Sequence, residues 1–385
     1  MLIFATEFNS MMIAVNTRML RLNKMEGIGY FTYESFKRIT QQHPEHEFVF
    51  IFDRPFDNSF VFAKNIKPVV IAPAARHPIL WVIWYEWSLA LLLKKLKPDL
   101  FVSSDGFLSL TSKVKSLSVI HDINFEHYPA DLPFIYRLYY RYFFPRFAKK
   151  AKRIASVSEF SKNDIASTYS LPANKIDVVY NGASEGFIPI TDNSKQSIRN
   201  EYTGGKSYFL FIGTLHQRKN IANLLKAFDL FRKNTGSDHV LVLAGIKRWW
   251  TKDMQTAYSE MEHKNDVIFT GRIPDEELYL LTASAFALTY VSLFEGFGIP
   301  IVEAFRCAVP VICSNTTSMP EVAGDAAILV DPFDVKDIAK AMTDLTQNEN
   351  LRQSLIEKGN KRKDDFNWQK TADDLWESMM QCATN

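Results

Sequence analysis

The segment Phe294–Ala304 (FEGFGIPIVEA) combines glycines, acids and a helix start in a pattern that suits ligand binding. Apolar residues before it predict a strand, and Pro300 fits the first turn of a helix, where its missing N–H costs nothing. Gly296 and Gly298 would let the backbone approach a ligand closely. The free N–H groups of a helix start favour an anion, so this segment predicts an anion site between a strand and a helix.

Two carboxylates flank the predicted anion site: Glu295 precedes the helix and Glu303 lies one turn inside it. Two acids would repel a phosphate that bound alone. They suit a ligand whose phosphate lies on the backbone while each carboxylate accepts hydrogen bonds from a sugar diol. The alternative is an ordinary strand–helix turn with solvated acids.

A second strand–loop–helix segment, Phe211–Asn220 (FIGTLHQRKN), places cations at a helix start. Gly213 and Thr214 follow the predicted strand, and Arg218 and Lys219 immediately precede a helix with an apolar stripe. Fixed cations there would add to the attraction that the N–H groups of the helix start exert on a diphosphate. Alone, such a pair is usually solvated; together with the acidic loop in the same half of the chain it indicates a diphosphate site.

The N-terminal half carries two weaker candidates. Gly27-Ile28-Gly29 follows the first predicted strand and opens a helix, but it lacks the third glycine of the dinucleotide fingerprint. His121 ends a strand, which is where α/β sheets place ligand groups, although a histidine there is as often structural.

Short apolar runs alternate with helical patterns along the chain, which predicts an α/β fold with parallel sheets. The strand candidates in the first half are Ile13–Asn16, Phe48–Phe52, Asp99–Ser103, Leu117–His121, Ile154–Ser158 and Asp177–Tyr180. Those in the second half are Tyr208–Ile212, Val240–Ala244, Val267–Thr270, Phe286–Val291, Pro310–Cys313 and Ala327–Val330.

With 385 residues, 47% of them hydrophobic, the chain is long enough for two domains. We expect an N-terminal domain over 12–187, a polar, turn-rich linker over 188–205, a C-terminal domain over 206–366 and a last helix over 367–385. Residues 1–11 precede a strand that could begin a protein at Met12, and we interpret them as an extension outside the core.

The formal net charge of +2 does not favour nucleic acid as a partner. We expect no metal site and no cofactor, because no convincing Asp-x-Asp motif follows a strand. The start of the chain lacks a basic n-region, and the apolar run Ile79–Leu93 is too short to span a bilayer and contains Glu86. These features favour a cytoplasmic protein.

The chain resembles the family 4 glycosyltransferases of the GT-B fold, a retaining group that includes many mannosyl- and glucosyltransferases. The resemblance covers nearly the whole chain from Met12 and implies two doubly wound Rossmann-like domains facing a central cleft, with the C-terminal helix crossing back to the N-terminal domain. It also implies that the N-terminal domain binds the acceptor and the C-terminal domain the nucleotide sugar. It rests on Gly27-Ile28-Gly29, His121-Asp122, Val157–Ser161, Tyr180-Asn181-Gly182, Gly213-Thr214, Arg218-Lys219-Asn220, Phe269–Arg272, Glu295 with Glu303, and Met319–Asp325.

The resemblance also implies roles for individual residues. Catalysis would rest on His121, Glu295, Arg218 and Lys219. The donor-binding residues would be Gly29, Gly213, Thr214, Arg272, Ile273, Phe297, Gly298, Ile299 and Glu303. Among these, Arg218 and Lys219 would bind the diphosphate, Glu303 the ribose, and the backbone around Arg272 the base. Many relatives carry a basic residue where this chain has Tyr30, a departure that affects the phosphate contact expected of the N-terminal domain.

The resemblance implies a retaining hexosyltransferase that acts in cell-surface polysaccharide synthesis. Its donor would be a GDP- or UDP-linked sugar, with mannose favoured over glucose, and its acceptor a glycan or a lipid-linked molecule. Three alternatives stay open: a sugar-nucleotide epimerase of the same fold, a non-catalytic sugar-nucleotide binder, and a nicotinamide dehydrogenase, which the missing third glycine disfavours.

The segment Tyr136–Arg153 contains seven cations, no acid and seven aromatic residues. One interpretation is a peripheral contact with the inner face of an anionic membrane. The other is a core helix with buried aromatics and one solvated basic face.

Overall fold

The computed structural model describes residues 10–22 and 24–384, which form two compact units. Unit 1 comprises residues up to Asn181 together with the segment from Trp368 onward, and unit 2 comprises Gly182–Asn367. Residues 1–9, most of the expected N-terminal extension, lie outside the described part of the chain.

Unit 1 contains a parallel sheet of seven strands in the order β3-β2-β1-β4-β5-β6-β7. Its strands are β1 (Met12–Asn16), β2 (Glu47–Phe52), β3 (Ile66–Val70), β4 (Leu100–Ser103), β5 (Ser116–Ile120), β6 (Arg153–Ser156) and β7 (Ile176–Val178). The helices that connect them are α1 (Gly27–Gln42), α2 (Pro78–Ile83), α3 (Ala90–Leu96), α4 (Asn124–His127), α5 (Phe134–Lys150) and α6 (Glu159–Tyr169), with a π-helical turn, Trp84–Leu89, joining α2 to α3.

Unit 2 contains a parallel sheet of six strands in the order β10-β9-β8-β11-β12-β13. Its strands are β8 (Tyr208–Ile212), β9 (Val240–Ala244), β10 (Val267–Gly271), β11 (Ala287–Tyr290), β12 (Val311–Ser314) and β13 (Ala327–Val330). The helices are α7 (Asp192–Thr203), α8 (Ile221–Thr235), α9 (Lys252–Ser259), α10 (Asp275–Ser284), α11 (Ile299–Arg306), α12 (Met319–Ala323), α13 (Val335–Gln347) and α14 (Glu349–Arg362).

Both sheets reverse their strand order beside the first strand of the unit, as doubly wound nucleotide-binding folds do. The α/β prediction is therefore confirmed, and the predicted strands agree with the observed ones to within two residues at each end. Strands buried on both faces are continuous apolar runs, which is why they stand out in the sequence; all five residues of β8 and of β9 are buried.

The strand β3 is missing from the prediction. It lies at the edge of its sheet and pairs only with β2, so Pro68 loses no ladder hydrogen bond on its open side. Three of its five residues are exposed, and its sequence (IKPVV) therefore lacks the apolar continuity of the inner strands.

Most of the segment predicted as a linker, 188–205, forms α7, which lies within unit 2. The hydroxyl of Thr191 accepts from the N–H of Ser194 at the start of the helix, and Gly204 ends it at φ 63°. The turn-forming residues that indicated a linker are thus the caps of a helix. Within unit 2, Arg199 of α7 donates to the carbonyl of Ser284 over 3.0 Å.

The last helix, α15 (Trp368–Thr384), belongs to unit 1, as the predicted crossing implies. It packs against α1, and its apolar stripe, which includes Leu375 and Met379, is fully buried. Thr371 donates to the carbonyl of Tyr180 over 2.7 Å, and the ring of Trp376 stacks on His43 with centroids 3.7 Å apart.

Within the described residues, no helix combines the length and apolarity that crossing a bilayer would require.

Candidate active site

The predicted cations of unit 2 occupy the short turn between β8 and α8. Arg218 and Lys219 lie in a single 3₁₀ turn, Gln217–Lys219, and Asn220 follows in the left-handed conformation at φ 60°. The buried amide of Asn220 donates to the carbonyls of Val291 (3.0 Å) and Pro332 (2.6 Å). This asparagine therefore holds the basic turn against the end of β11, a role that the sequence prediction missed.

The buried carboxylate of Glu295 joins the two half-buried cations into one cluster. Its carboxylate accepts from Nη1 of Arg218 at 3.0 Å and from Nζ of Lys219 at 2.5 Å, and Lys219 also donates to the hydroxyl of Tyr290 at 2.8 Å. Arg218 donates to the carbonyl of Phe294 as well. Burial of Glu295 opposes ionisation, but the two cations outweigh it and lower the pKa of Glu295 to about 2.

The glycine loop after β11 leads into α11 as predicted. Gly298 has φ 101°, where an L side chain would be strained, and α11 begins at Ile299. The hydroxyl of Ser318 donates to the carbonyls of Glu295 (2.9 Å) and Phe297 (3.0 Å), and these hydrogen bonds hold the loop in place. Ser318 was not predicted; nothing in its sequence context distinguishes it from an ordinary helix cap.

Glu303, the second predicted carboxylate, lies half-buried on α11. Burial, reinforced by the nearby charge of Asp275, raises the pKa of Glu303 to about 8. The two glutamates therefore differ: near neutral pH Glu295 is ionised, whereas Glu303 is mainly protonated and can donate a hydrogen bond as well as accept one.

Three glycines bring the ends of β8, β9 and β10 close together. A side chain on Gly245 would place its Cβ 1.8 Å from the carbonyl oxygen of Gly213, so only glycine fits there. Gly245 also bridges to Gly271, which precedes the exposed Arg272 and half-buried Ile273. The prediction missed Gly245, although its place directly after a buried strand was a usable indication.

In unit 1, His121 directly follows β5. Its Nε2 lies 3.0 Å from the carbonyl oxygen of Ser104, and Phe31 packs edge-on against the imidazole. Burial lowers the pKa of His121, so the ring is neutral near pH 7. A proton on Nε2 would satisfy the Ser104 carbonyl and leave Nδ1 as a hydrogen-bond acceptor.

Gly29, in α1, is buried, and a side chain there would place its Cβ 2.9 Å from the carbonyl oxygen of Met19 and 3.2 Å from Cβ of Met25. Packing within unit 1 thus accounts for this glycine. Its expected contact with phosphate stays a prediction.

Unit 2 thus gathers most of the predicted donor-site residues at the carboxyl end of its sheet, and unit 1 holds His121 and Gly29. Around the basic turn and the glycine loop lie Gly213, Thr214, Arg218, Lys219, Glu295, Phe297, Gly298, Ile299 and Glu303. Arg272 and Ile273 follow β10, two strands from β8 in the sheet.

Comparison with protein families gives a match to each of the two units. The model described as Glycosyltransferase Family 4 matches residues 26–185, and the model described as Glycosyl transferases group 1 matches residues 192–362. Together they span most of the chain. The chain belongs to this glycosyltransferase family. The family resemblance inferred from its motifs is therefore confirmed.

Several similar proteins are bacterial mannosyltransferases by name. O-antigen chain mannosyltransferase B of Escherichia coli is 34% identical over 220 residues, covering 57% of this chain and 58% of that protein. O-antigen chain mannosyltransferase RfbU of Salmonella typhimurium is 29% identical over 289 residues, covering 74% and 76%. Serotype-specific mannosyltransferase WbdA of Escherichia coli is 27% identical over 270 residues, covering 67% and 32%. The matched region thus spans a third to three quarters of these relatives.

Solved structures show the same two-domain GT-B fold. Sucrose-phosphate synthase of Thermosynechococcus elongatus has a TM-score of 0.75 at 15% identity, covering 96% of this chain and 98% of that one. WaaG, a glycosyltransferase involved in lipopolysaccharide biosynthesis, has a TM-score of 0.73 at 15% identity, covering 95% and 99%.

Proposed function

We propose that this protein is a retaining glycosyltransferase that transfers mannose from a nucleotide-diphosphate donor to a glycan or lipid-linked acceptor in polysaccharide synthesis. The observation that carries the proposal is the cluster of Arg218, Lys219 and the buried Glu295 beside the start of α11. The names of the bacterial relatives support mannose as the sugar and polysaccharide synthesis as the process. GDP is the nucleotide we favour.

The cluster suits a leaving group that is a nucleoside diphosphate. As the bond from the sugar to the diphosphate breaks, negative charge grows on the β-phosphate. Arg218 and Lys219 are fixed in place by Glu295, so they need little reorganisation to stabilise that charge. An interaction that strengthens as the charge develops accelerates the chemical step.

Glu295 can serve the sugar while it holds the cations. A carboxylate has about four lone-pair sites, and Arg218 and Lys219 each donate to one of its two oxygens. Glu303, with its raised pKa, suits the ribose hydroxyls because it can both donate to and accept from a diol. His121 would contact the sugar near the reacting carbon, with its neutral ring accepting a hydrogen bond through Nδ1.

The test is a panel of nucleotide sugars screened for thermal protection and for transfer. GDP-mannose should protect the protein more than UDP-glucose does, because a ligand at 100 times its Kd adds about 2.7 kcal/mol. Glu303→Ala should weaken binding of free GDP and of GDP-mannose alike. Glu295→Ala should reduce transfer more than GDP affinity. The absence of both protection and transfer with every donor would refute the proposal.

We propose further that α5 docks this protein on an anionic membrane. Of the seven aromatics in the predicted segment Tyr136–Arg153, only Tyr142 is exposed, and Arg153 is paired with Asp177. The buried-helix interpretation thus describes one face of α5. Its other face forms what we call the α5 surface, which combines exposed apolar residues with cations: Phe134, Ile135, Leu138, Tyr142, Arg141, Arg146, Lys149 and Lys150.

A helix face with both apolar and basic residues binds lipid by burying apolar area and by attraction to anionic headgroups. Each cation near an anionic surface contributes about 1 kcal/mol. In co-sedimentation, binding should rise with phosphatidylglycerol content and fall with salt. Leu138→Gln should weaken it, whereas Leu280→Gln, at an exposed leucine of unit 2, should not. Protein that stays in the supernatant with anionic vesicles at low salt would contradict this role of α5.

A further inference from the structure

A basic cavity of about 650 Å³ opens within unit 1 at the carboxyl end of its sheet. The loops after β1, β2, β3, β4 and β5 contribute its polar wall, and His121 is part of that wall. Its lining includes five cations and two carboxylates: Arg18, Arg21, Lys24, Arg54, Arg76, Asp105 and Asp122. The sequence prediction missed this cavity because its cations are dispersed along the chain.

The most buried of these cations is Arg18, of which 8% is exposed. Its Nε donates to Asp105 over 2.6 Å, its Nη1 donates to the carbonyl of Ala75 over 3.4 Å, and it lies 4.6 Å from the ring centroid of Phe107. Among the described residues, Nη2 of Arg18 has no hydrogen-bond acceptor. Burial alone would lower the pKa of Arg18, but Asp105 raises it well above its ordinary value, so the guanidinium stays charged.

The cations at the mouth of the cavity are not neutralised by the protein. Within the described part of the chain, Arg21, Lys24 and Arg76 have no carboxylate at salt-bridge distance, and all three are exposed. Arg54 is held by Asp53 over 2.6 Å, which leaves it only partly available. Like charges gathered in one concavity repel one another, and a bound anion would relieve that repulsion.

The remaining wall of the cavity is aromatic and adjoins α5. Tyr140 and Phe144 of α5 line it, together with Trp81 and Phe125. The helix that carries the α5 surface on one face therefore closes the basic cavity with the other. A molecule that joins an anionic group to a lipid could contact both faces of this helix.

We infer that this cavity binds a phosphate or diphosphate group of the acceptor. The inference rests on the proposed function, since it names the chemistry of the acceptor that the same enzyme would use. Nη2 of Arg18, Arg21 and Arg76 would donate to the phosphate oxygens. The acceptor is then either a lipid-linked sugar diphosphate or a soluble sugar phosphate.

The inference is tested by direct binding of mannose 1-phosphate to the full chain in excess GDP, which occupies the nucleotide site of unit 2. Calorimetry should show binding of mannose 1-phosphate and none of methyl mannoside, which lacks the phosphate. Arg21→Gln and Arg76→Gln should each weaken binding by about 5- to 20-fold, since each removes a charge-assisted hydrogen bond. Lys95→Gln, at an exposed lysine of unit 1 outside the cavity, is the matched control.

Farnesyl diphosphate in neutral nanodiscs distinguishes a lipid-linked acceptor from a soluble sugar phosphate. If the acceptor is lipid-linked, farnesyl diphosphate should bind at least tenfold more tightly than mannose 1-phosphate, and Leu138→Gln should remove the difference. Equal affinities would assign a soluble sugar phosphate.

The inference is overturned if neither phosphate probe binds, or if Arg21→Gln and Arg76→Gln bind both probes as the unmodified protein does. Failure of the proposed function has a different result: transfer is then absent with every nucleotide sugar, whatever the phosphate probes do in unit 1.

Discussion

At the scale of residues, the arrangement that matters most is one buried carboxylate holding two cations. Glu295 is 7% exposed, and removing either partner would leave charge inside the protein with less compensation. Such a cluster is costly to build for stability alone. Its location at the start of a helix, where anions are favoured, suits the diphosphate of the proposed donor.

Arg218→Ala should lower kcat/KM for the nucleotide-sugar donor by about 30- to 1000-fold, equivalent to about 2–4 kcal/mol of transition-state stabilisation. The reason is that Lys219 alone would have to neutralise both Glu295 and the leaving diphosphate. Steady-state kinetics measures the change, and Lys226→Gln, at an exposed position on α8, serves as control. A value within threefold of the unmodified enzyme would remove Arg218 from the site.

Glu303→Gln should make the stability of the free protein less dependent on pH. The pKa of Glu303 is raised to about 8 in the folded protein, while the unfolded chain ionises near its ordinary value of 4.5. Folding therefore retains a proton, and the stability that this group contributes is full below pH 4.5 and is lost as the pH rises through 8.

Because Glu303 is only half-buried, we expect the variant to gain about 1–3 kcal/mol over the unmodified protein between pH 5 and pH 8.5. Thermal unfolding without ligand at the two pH values measures this gain. Glu357→Gln, on the surface of α14, should show no such gain. Parallel pH profiles for Glu303→Gln and the unmodified protein would mean that Glu303 titrates normally.

At the scale of elements, the last helix packs against residues that are far from it in sequence. The helix α15 follows the whole of unit 2, yet it buries its apolar stripe in unit 1. It contacts α1, the helix that begins at the Gly27-Ile28-Gly29 segment, as well as the central strands β4, β5 and β6.

Leu375→Ala should destabilise unit 1 by about 2–5 kcal/mol, because Leu375 is fully buried and its truncation leaves a cavity. Urea denaturation followed by tryptophan fluorescence measures the loss, and Trp376 on α15 reports on this region. Gln369→Ala, at an exposed position of the same helix, is expected to change stability by less than about 0.5 kcal/mol. Equal midpoints for the two variants would show that α15 contributes little to unit 1.

At the scale of the whole molecule, the residues predicted to take part in the reaction belong to two units that each have their own sheet. Unit 2 carries the cluster proposed for the donor, and unit 1 carries His121 and the basic cavity. Each group lies at the carboxyl end of its own sheet, where α/β proteins place their ligands.

Transfer should survive chelation by EDTA. The charge that a metal would supply to the diphosphate is available from Arg218, Lys219 and the N–H groups of a helix start. Initial rates with and without 5 mM EDTA should agree within about twofold, the ordinary spread of such assays. Loss of activity that Mg²⁺ or Mn²⁺ restores would show that the cations of unit 2 do not suffice.

The sequence by itself determined the fold class and the family, and it singled out the segments that form the candidate site. Buried parallel strands are continuous apolar runs, and glycines at strand ends mark the turns that approach a ligand, so local composition carries this information. The same local logic failed for β3, whose exposed edge permits Pro68, and for α7, whose capping residues resemble those of a linker.

Only the tertiary structure decided which charges meet. Glu295 and Lys219 are 76 positions apart in the sequence, and Arg18 and Asp105 are 87 apart. No local pattern predicts such pairs. The same holds for the protonation of Glu303, which depends on how its helix is buried, and for the face that α5 leaves exposed. Charge and burial are properties of the packed molecule, because they depend on neighbours that folding brings together.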